Sequence, residues 1–371
     1  MQGIGVEYMN SFGQTICLSM IVKNEAHVIR RCLDSVRSIV DHWIIVDTGS
    51  TDGTQDVIRT SLAAVPGSLV ERPWVDFAFN RNEALELARP CAEYSLIIDA
   101  DDELIIPPDF VMPRLCHAGY KIKIIDAHTR YWRKQIVSNS KPWIYRGVLH
   151  EFLDCPGAPE TPILSLAMRR GEDGARHQDK TADERDIEVL HRALTIETDP
   201  FMISRYTFYL ASTYDAAGRY DKAFEYYFKR ADLGYWDEEV YISLIMAAGN
   251  LERLDGPEEE VLKIYDRAIV LCPGRAEARH GASRYCRSKK RFLAGFRYAE
   301  AGIFLKLPSE GLSLSPWVYE YGVLEEYSLN AYYAGHYNAC VNACREILNR
   351  PNVPERILSL TRDLARQARI G

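Results

Sequence analysis

No window of this sequence approaches the ~18–20 continuous apolar residues that a helix needs to cross a bilayer. No CxxC pair occurs among its nine cysteines, which removes the usual redox and zinc-site spacings. Their odd number and scatter read as a reducing cytosol with buried thiols. Cys340 and Cys344, one helical turn apart, read as core packing. A basic excess is also missing. The net charge is −7, so no broad positive field gathers nucleic acid, and the "RRG" at Arg169 reads as solvated surface. The opening "MQGIGVEYMNSFGQ" has neither a basic n-region nor an apolar h-region, so no signal peptide is expected and the location expected is cytoplasmic. What remains is ordinary globular composition: 371 residues, 47% hydrophobic and 26% charged. That is enough for one large domain or two to three smaller ones.

The first half alternates short apolar runs with amphipathic stretches. "TICLSMIV" (15–22), "HWIIVDT" (42–48) and "YSLIIDA" read as strands. "EAHVIRRCLDSVRSI" (25–39) reads as a helix with Val28, Cys32, Val36 and Ile39 on one face. "STDGTQDVIRTSL" opens a second helix, and "NRNEALELA" (80–88) is a third. Strands alternating with helices predict an α/β domain with a mostly parallel sheet covered on both faces.

From about Thr181 long helical periods rich in Tyr, Ala and Leu take over. "RYTFYLASTYDAAGRYDKAFEYYFKRA" places Leu210, Tyr214, Gly218, Tyr220, Ala223 and Tyr227 as a helix–turn–helix pair would. Ala282, Tyr285, Phe292 and Ala294 repeat the logic, as do Ala331, Gly335, Tyr337 and Ala339. The segment between them holds a degenerate further pair. The reading is an all-α domain of tetratricopeptide type, its aromatic stripe forming the core between paired helices. The Pro-, Gly- and charge-rich stretch joining the halves reads as a linker.

In "SLIIDADDELI" (95–105) a buried strand runs straight into Asp99, Asp101, Asp102 and Glu103. Like charges so placed repel one another, and a divalent cation relieves them. Mg²⁺ or Mn²⁺ commonly takes one or two carboxylates together with phosphate oxygens. Two further polar clusters, "VKNEAH" (22–27) and "DTGSTDGT" (47–54), also follow apolar strands. An open parallel sheet would bring all three to one rim, at the carboxyl ends of its strands.

Together "SMIVKNEAHVIRRCLDSV", "WIIVDTGSTDGT", "DFAFNRNEALELA" and "LIIDADDEL" resemble family 2 glycosyltransferases of the GT-A fold. They do so in order, from Thr15 to Leu153. With "PWIYRGVLHEFL" (142–153) and the helical half, the chain is similar to a bacterial subgroup with a tetratricopeptide-like extension. The resemblance implies a GT-A domain over 1–160, a linker and active-site lid over 161–185, and a helical domain over 186–371. It implies a nucleotide-sugar donor, with UDP as the expected nucleotide. Val22, Asn24 and Glu25 would line base and ribose, Asp47 would hydrogen-bond the base or ribose, and Asn80 or Arg81 would lie over the nucleotide. Asp99 would face the ribose or join Asp101 at the metal, with His150 completing the shell. Asp102 would stand behind them. Thr48 departs from the pattern, since many relatives carry a second aspartate there.

Transfer with inversion needs a carboxylate to take the acceptor's proton. Glu151 and Asp154 are the candidates, with Asp102 in reserve. Trp143 and Tyr145 either stack on a sugar ring or pack in the core. Arg176 and Lys180, with His177, would fold over the diphosphate. The acceptor is left open between a peptide or protein, a glycan and a small molecule, and the helical half offers a surface for acceptor, partner or homodimer. Two rival readings stand beside this one. A nucleotidyltransferase would show a GxGxR loop after the first strand, which "IVKNEA" lacks. A binding scaffold would carry a silent sheet domain, against which the intact acid motif argues. Processive synthases of the same family carry QxxRW and membrane helices, and this sequence has neither.

Overall fold

The computed structural model describes residues 12–127, 129–158, 161–175 and 181–369. The chain divides into two compact units, with the boundary between Leu190 and His191.

In the first unit, β1 (Ile16–Val22), β2 (His42–Asp47), β3 (Gly67–Glu71) and β4 (Tyr94–Ile97) lie parallel in the order β3-β2-β1-β4. β1 and β4 are buried almost throughout, as strands covered on both faces must be. α1 (Ile29–Val36) buries Ile29, Cys32, Leu33 and Val36, the i, i+3, i+4, i+7 stripe of a helix lying on a sheet. It joins Leu18, Met20, Ile45, Leu96 and Ile98 in the main core. α2 (Thr54–Ser61) follows β2, and α3 (Phe77–Ala88) precedes β4. α3 starts three residues before the "NRNEALELA" stretch, because the Asp76 carboxylate accepts the Phe79 N–H at 2.7 Å and caps the helix.

Beyond β4 the sheet continues as β7-β6-β10-β5. β7 (Thr129–Ser138) runs antiparallel to β4. β10 (Ile163–Arg169) lies parallel to β6 (Gly119–Asp126) and antiparallel to β5 (Glu103–Ile105). β8 (Ile144–Arg146) and β9 (Phe152–Asp154) form a separate antiparallel ribbon. Residues 161–185 are therefore not simply a linker: β10 lies within the sheet, and α4 (Ala182–Ile196) has begun before they end.

The second unit holds helix pairs α5/α6 (Pro200–Ala216, Tyr220–Leu233), α7/α8 (Asp237–Arg253, Glu258–Leu271), α9/α10 (Glu277–Ser288, Phe292–Glu300) and α11/α12 (Val323–Tyr333, Tyr337–Leu348), then α13 (Glu355–Ala368). Leu210, Tyr214, Ala223, Tyr227, Ala282, Tyr285 and Ala331 are buried, whereas Tyr220 and Tyr337 are exposed. Cys340 and Cys344 are fully buried free thiols. All four pairs turn the same way. A residue with left-handed φ sits at Gly218 (71°), Asp255 (50°), Lys290 (60°) and Gly335 (82°). The next residue's N–H reaches back to the carbonyl five positions earlier: Arg219 to Tyr214, Gly256 to Leu251, Arg291 to Cys286 and His336 to Ala331, at 2.8–2.9 Å. This is the Schellman ending, which caps the last helical carbonyls. It makes α7/α8 a full member of the series despite its degenerate sequence.

Candidate active site

Residues bonded across the sheet set the rim. Val22 pairs with Asp47 and Ser19 with Ile97, so the loops after β1, β2 and β4 leave the sheet on the same side. From β1 the chain moves outward to β2 and β3, then returns to β4 on the other flank. The gap between β1 and β4 is thus the topological switch point, where open α/β sheets bind ligands.

The loops after β1 and β2 are bound to one another. Asn24 adopts φ 58°; its N–H donates to Ser50 Oγ at 2.9 Å and its side-chain oxygen accepts from Thr51 N–H at 2.8 Å. Glu25 N–H donates to Thr54 Oγ1 at 2.8 Å, and Ala26 N–H to Asp52 at 3.0 Å. Thr48 donates its hydroxyl to the Val22 carbonyl at 3.0 Å. Val22 itself is buried at the strand end.

Asp47 is not placed to meet a base or ribose. It is fully buried. Its Oδ1 accepts Gly49 N–H, Ser50 N–H and Ser50 Oγ, and its Oδ2 accepts Gln55. The carboxylate is spent on holding the β2–α2 turn. Asn80 is likewise fully buried. It bonds Val75 N–H, the Pro73 carbonyl and Glu83, so it shapes the β3–α3 loop and does not lie over a ligand. Trp143 is 1% exposed and donates its indole N–H to the Ala118 carbonyl at 2.9 Å; it is core, with no face for a sugar.

Arg81, on α3, stands at the centre. Its Nε donates to Glu151 Oε1 and its Nη2 to Asp99 Oδ1, both at 2.6 Å, and its guanidinium lies 5.7 Å from the Tyr145 ring centroid. Arg133, on β7, reaches Asp102 Oδ2 at 3.4 Å and Asp99 Oδ2 at 3.9 Å. Burial acts to raise the Asp99 carboxyl, but Arg81 and then Arg133 outweigh it and hold it below the ordinary carboxylate range. Asp102 goes the other way. Burial, then the Asp99 charge, push its carboxyl up to about 7 against the pull of Arg133. Glu25 is also pushed up to about 7, first by burial and then by the Asp101 and Asp52 charges, against the Ala175 N–H that donates to it. Asp154 is elsewhere, paired with Arg146 at 2.9 Å across the β8–β9 ribbon.

These contacts correct the metal assignment. Asp99 faces two guanidiniums, which would oppose a cation. His150 is exposed in a φ 51° turn before β9. Among the described residues no group of three His, Cys, Asp or Glu side chains is arranged to hold a metal. Arg176 and Lys180 lie outside the described residues. The sequence reading missed Arg31 and Arg133. Arg31 lies within an otherwise ordinary amphipathic helix. Arg133 is one of several charges in "TRYWRKQ", and only its register on β7 brings it to the site.

Residues 17–113 match the family described as glycosyl transferase family 2. A TPR repeat-containing protein of Synechococcus elongatus is 41% identical over 92 residues, 24% of this chain and 21% of that protein. The SPbeta prophage-derived glycosyltransferase SunS of Bacillus subtilis is 34% identical over 102 residues, 27% of this chain and 23% of that protein. The matches to curated relatives span between 21% and 31% of those proteins' lengths. Among solved structures, the TPR protein YrrB superposes with a TM-score of 0.36 at 12% identity, over 48% of this chain and 84% of that one. No described helix is long and apolar enough to cross a membrane. A strand-end acid motif at the switch point of a mostly parallel sheet, and the match over 17–113, agree: the first unit is similar over these residues to glycosyl transferase family 2, and the second is an array of helix pairs.

Proposed function

We propose that the chain is an inverting glycosyltransferase that moves a sugar from a nucleotide-sugar donor, with UDP as the nucleotide, to an acceptor hydroxyl or other nucleophile. The acceptor is a peptide or protein, a glycan or a small molecule, and the helical unit supplies the surface that recruits it. The observation that carries this reading is the meeting of the β1–α1 loop, the β2–α2 loop and the acid motif at one switch point within a family 2 domain.

Asp101 is the residue proposed for Mn²⁺ or Mg²⁺. It lies four residues past the end of β4 and is half-buried at the rim. A single carboxylate suits a cation that arrives with the donor and completes its shell from phosphate oxygens. Such an ion would stabilise the charge that grows on the leaving diphosphate. Val22, Asn24 and Glu25 form the wall against the nucleoside. Arg81 fixes Asp99 and Glu151 on one guanidinium, so both carboxylates keep a set position relative to the donor. Glu151 takes the acceptor's proton, and Tyr145 packs beside it. A carboxylate so held is worth about 10²–10⁴-fold as a general base.

A panel of sugar nucleotides incubated with the full chain, with and without Mn²⁺, tests this. One donor should be consumed faster with metal and should raise the melting temperature as RT ln(1 + [L]/Kd) requires. Absence of binding and turnover across UDP-, GDP-, dTDP- and CMP-sugars would sink the reading.

A further inference from the structure

We infer that Arg31 is a phosphate-binding cation of this rim, and that Asp173 is an internal anion that occupies it until a phosphate displaces it. The identity of the ligand as a nucleotide donor rests on the proposed function; the Arg31–Asp173 exchange does not.

Residues 171–175, just past β10, form a strap across the acid motif. Gly171 N–H donates to Asp102 Oδ1 at 3.0 Å. Ala175 N–H donates to both oxygens of Glu25 at 3.2 Å. His27 Nε2 donates to the Asp173 carbonyl at 2.7 Å. Between these points the strap lies directly on Asp101: a Cβ added at Gly171 would overlap the Asp101 backbone carbonyl, so only glycine permits this approach, and one added at Gly174 would stand 2.7 Å from Asp101 Oδ2. In this arrangement the strap covers the carboxylate proposed to meet the metal and phosphates.

The key contact is a fork. Arg31 Nη1 and Nη2 donate to Asp173 Oδ2 and Oδ1, each at 2.9 Å, and Nη2 also donates to the Asp101 carbonyl at 2.7 Å. The guanidinium is thereby fixed at the acid motif with its two donors turned toward an anion. A phosphate accepts the same parallel pair and carries more charge than a carboxylate.

Magnitudes decide which cation of the rim can change partners. Arg81 is 13% exposed and holds two carboxylates, of which Glu151 is 10% exposed. Removing it would take from Glu151 its counter-charge in a low-dielectric setting and leave Asp99 with Arg133 at 3.9 Å. Arg133 is held against Asp99 and Asp102 and also bonds Gln135. Arg31 and Asp173 are 42% and 53% exposed, and an ion pair that wet contributes little. Of these three guanidiniums, Arg31 is the one whose partner is most easily exchanged. When a phosphate takes the fork, Asp173 is released and the strap loses one of its ties over the acid motif.

The test uses the full chain and calorimetric titration with inorganic pyrophosphate, and separately with UDP, each with Mn²⁺. Arg31→Gln should weaken pyrophosphate binding by at least about tenfold, the range of a charge-assisted pair. Asp173→Asn should strengthen it several-fold. The decisive arm is the double variant, because removing any nearby negative charge favours an anion. If Asp173 acts by occupying Arg31, Asp173→Asn gives no gain once Arg31 is Gln. A gain of equal size in that background, no change in Asp173→Asn, or no pyrophosphate binding by the wild-type chain overturns the inference. Thermal melts confirm that each variant is folded. Pyrophosphate binding that follows this pattern while no nucleoside diphosphate binds and no sugar nucleotide is consumed would overturn the proposed function and leave the anion exchange standing.

Discussion

In the helical unit, each buried arginine meets a glutamate closely, Arg275 holding Glu238 as well as Glu277, and Glu239 also lying 4.0 Å from Arg205. Arg230 is fully buried and gives Glu239, 4% exposed, two bonds at 2.6 and 2.9 Å. Arg275 pairs with Glu277 and Arg287 with Glu326 in the same way. At the sheet rim the matching fails. Asp99 is shared by two arginines, Asp102 has half of one, and Glu25 accepts the Ala175 N–H and has no cation within bonding distance among the described residues. The first arrangement holds helices in one register. The second leaves carboxylates and a guanidinium whose partners can be exchanged, which a site that admits a charged ligand needs. Unequal pairing within one chain thus marks where structure ends and chemistry begins.

The largest effect expected is structural. Arg230→Met should destabilise the helical unit by about 3–5 kcal/mol, because buried Glu239 would lose both hydrogen bonds of its close partner and keep Arg205 at 4.0 Å. Adding Glu239→Leu should recover most of the loss. Urea unfolding checks both variants, and a single variant as stable as wild type would break the contrast. Next, Asp101→Asn should lower transfer by about 100-fold or more, since a metal's charge stabilisation is worth several kcal/mol, with little change in melting temperature. Steady-state rates in Mn²⁺ decide it.

The pH dependences should have opposite signs. His280, beside Trp317 at a ring distance of 4.9 Å, is pushed down to about 4 chiefly by burial. Its neutral form is favoured by folding, so its contribution is present above pH 6.5 and lost as pH falls through 4. Glu25 is raised to about 7, so its contribution is present below pH 4.5 and lost as pH rises through 7. Calorimetric scans from pH 4 to 8 should show that His280→Phe flattens the acid side and Glu25→Gln the neutral side. A reversed pattern would refute the assignment. The smallest effect concerns a turn. Lys290 holds a left-handed φ that costs a side-chain-bearing residue about 1 kcal/mol. Lys290→Gly should therefore stabilise by about 0.5–1 kcal/mol, and Gly218→Ala should destabilise by at least as much. Melting temperatures report both.

The sequence declared β1, β2 and β4 plainly, because strands covered on two faces are unbroken apolar runs. The helix pairs were legible from their small and aromatic residues. β10 was not: "ILSLAMR" alternates buried and exposed positions and sits among Pro, Gly and charge, which read as a linker. The acid motif was legible as a place and less so as a set of roles. Asp47 and Asn80 follow or flank strands as ligand-binding residues do, yet their oxygens and amides go to their own loops. No periodicity tells a polar side chain that faces a ligand from one that closes a turn. Arg133 depends on strand register, and Arg31 on a strap that returns from residues far along the chain.

The position of β10 has a consequence for synthesis. β5 leaves the acid motif and has β10 as its only neighbour in the strand order. While the nascent chain has emerged only as far as β9, β5 has no strand to join and is held by its packing on α1, where Leu104 N–H donates to Ser35 Oγ. Closing that loop is a long-range event, and such pairings form late and slowly. The acid motif should thus be among the last parts of the sheet unit to become firm on the ribosome. Pulse-labelling hydrogen exchange during refolding should find the amide of Ile105 protected after those of β1 and β2, whereas the Leu104 N–H, which donates to Ser35 Oγ on α1, does not report this pairing.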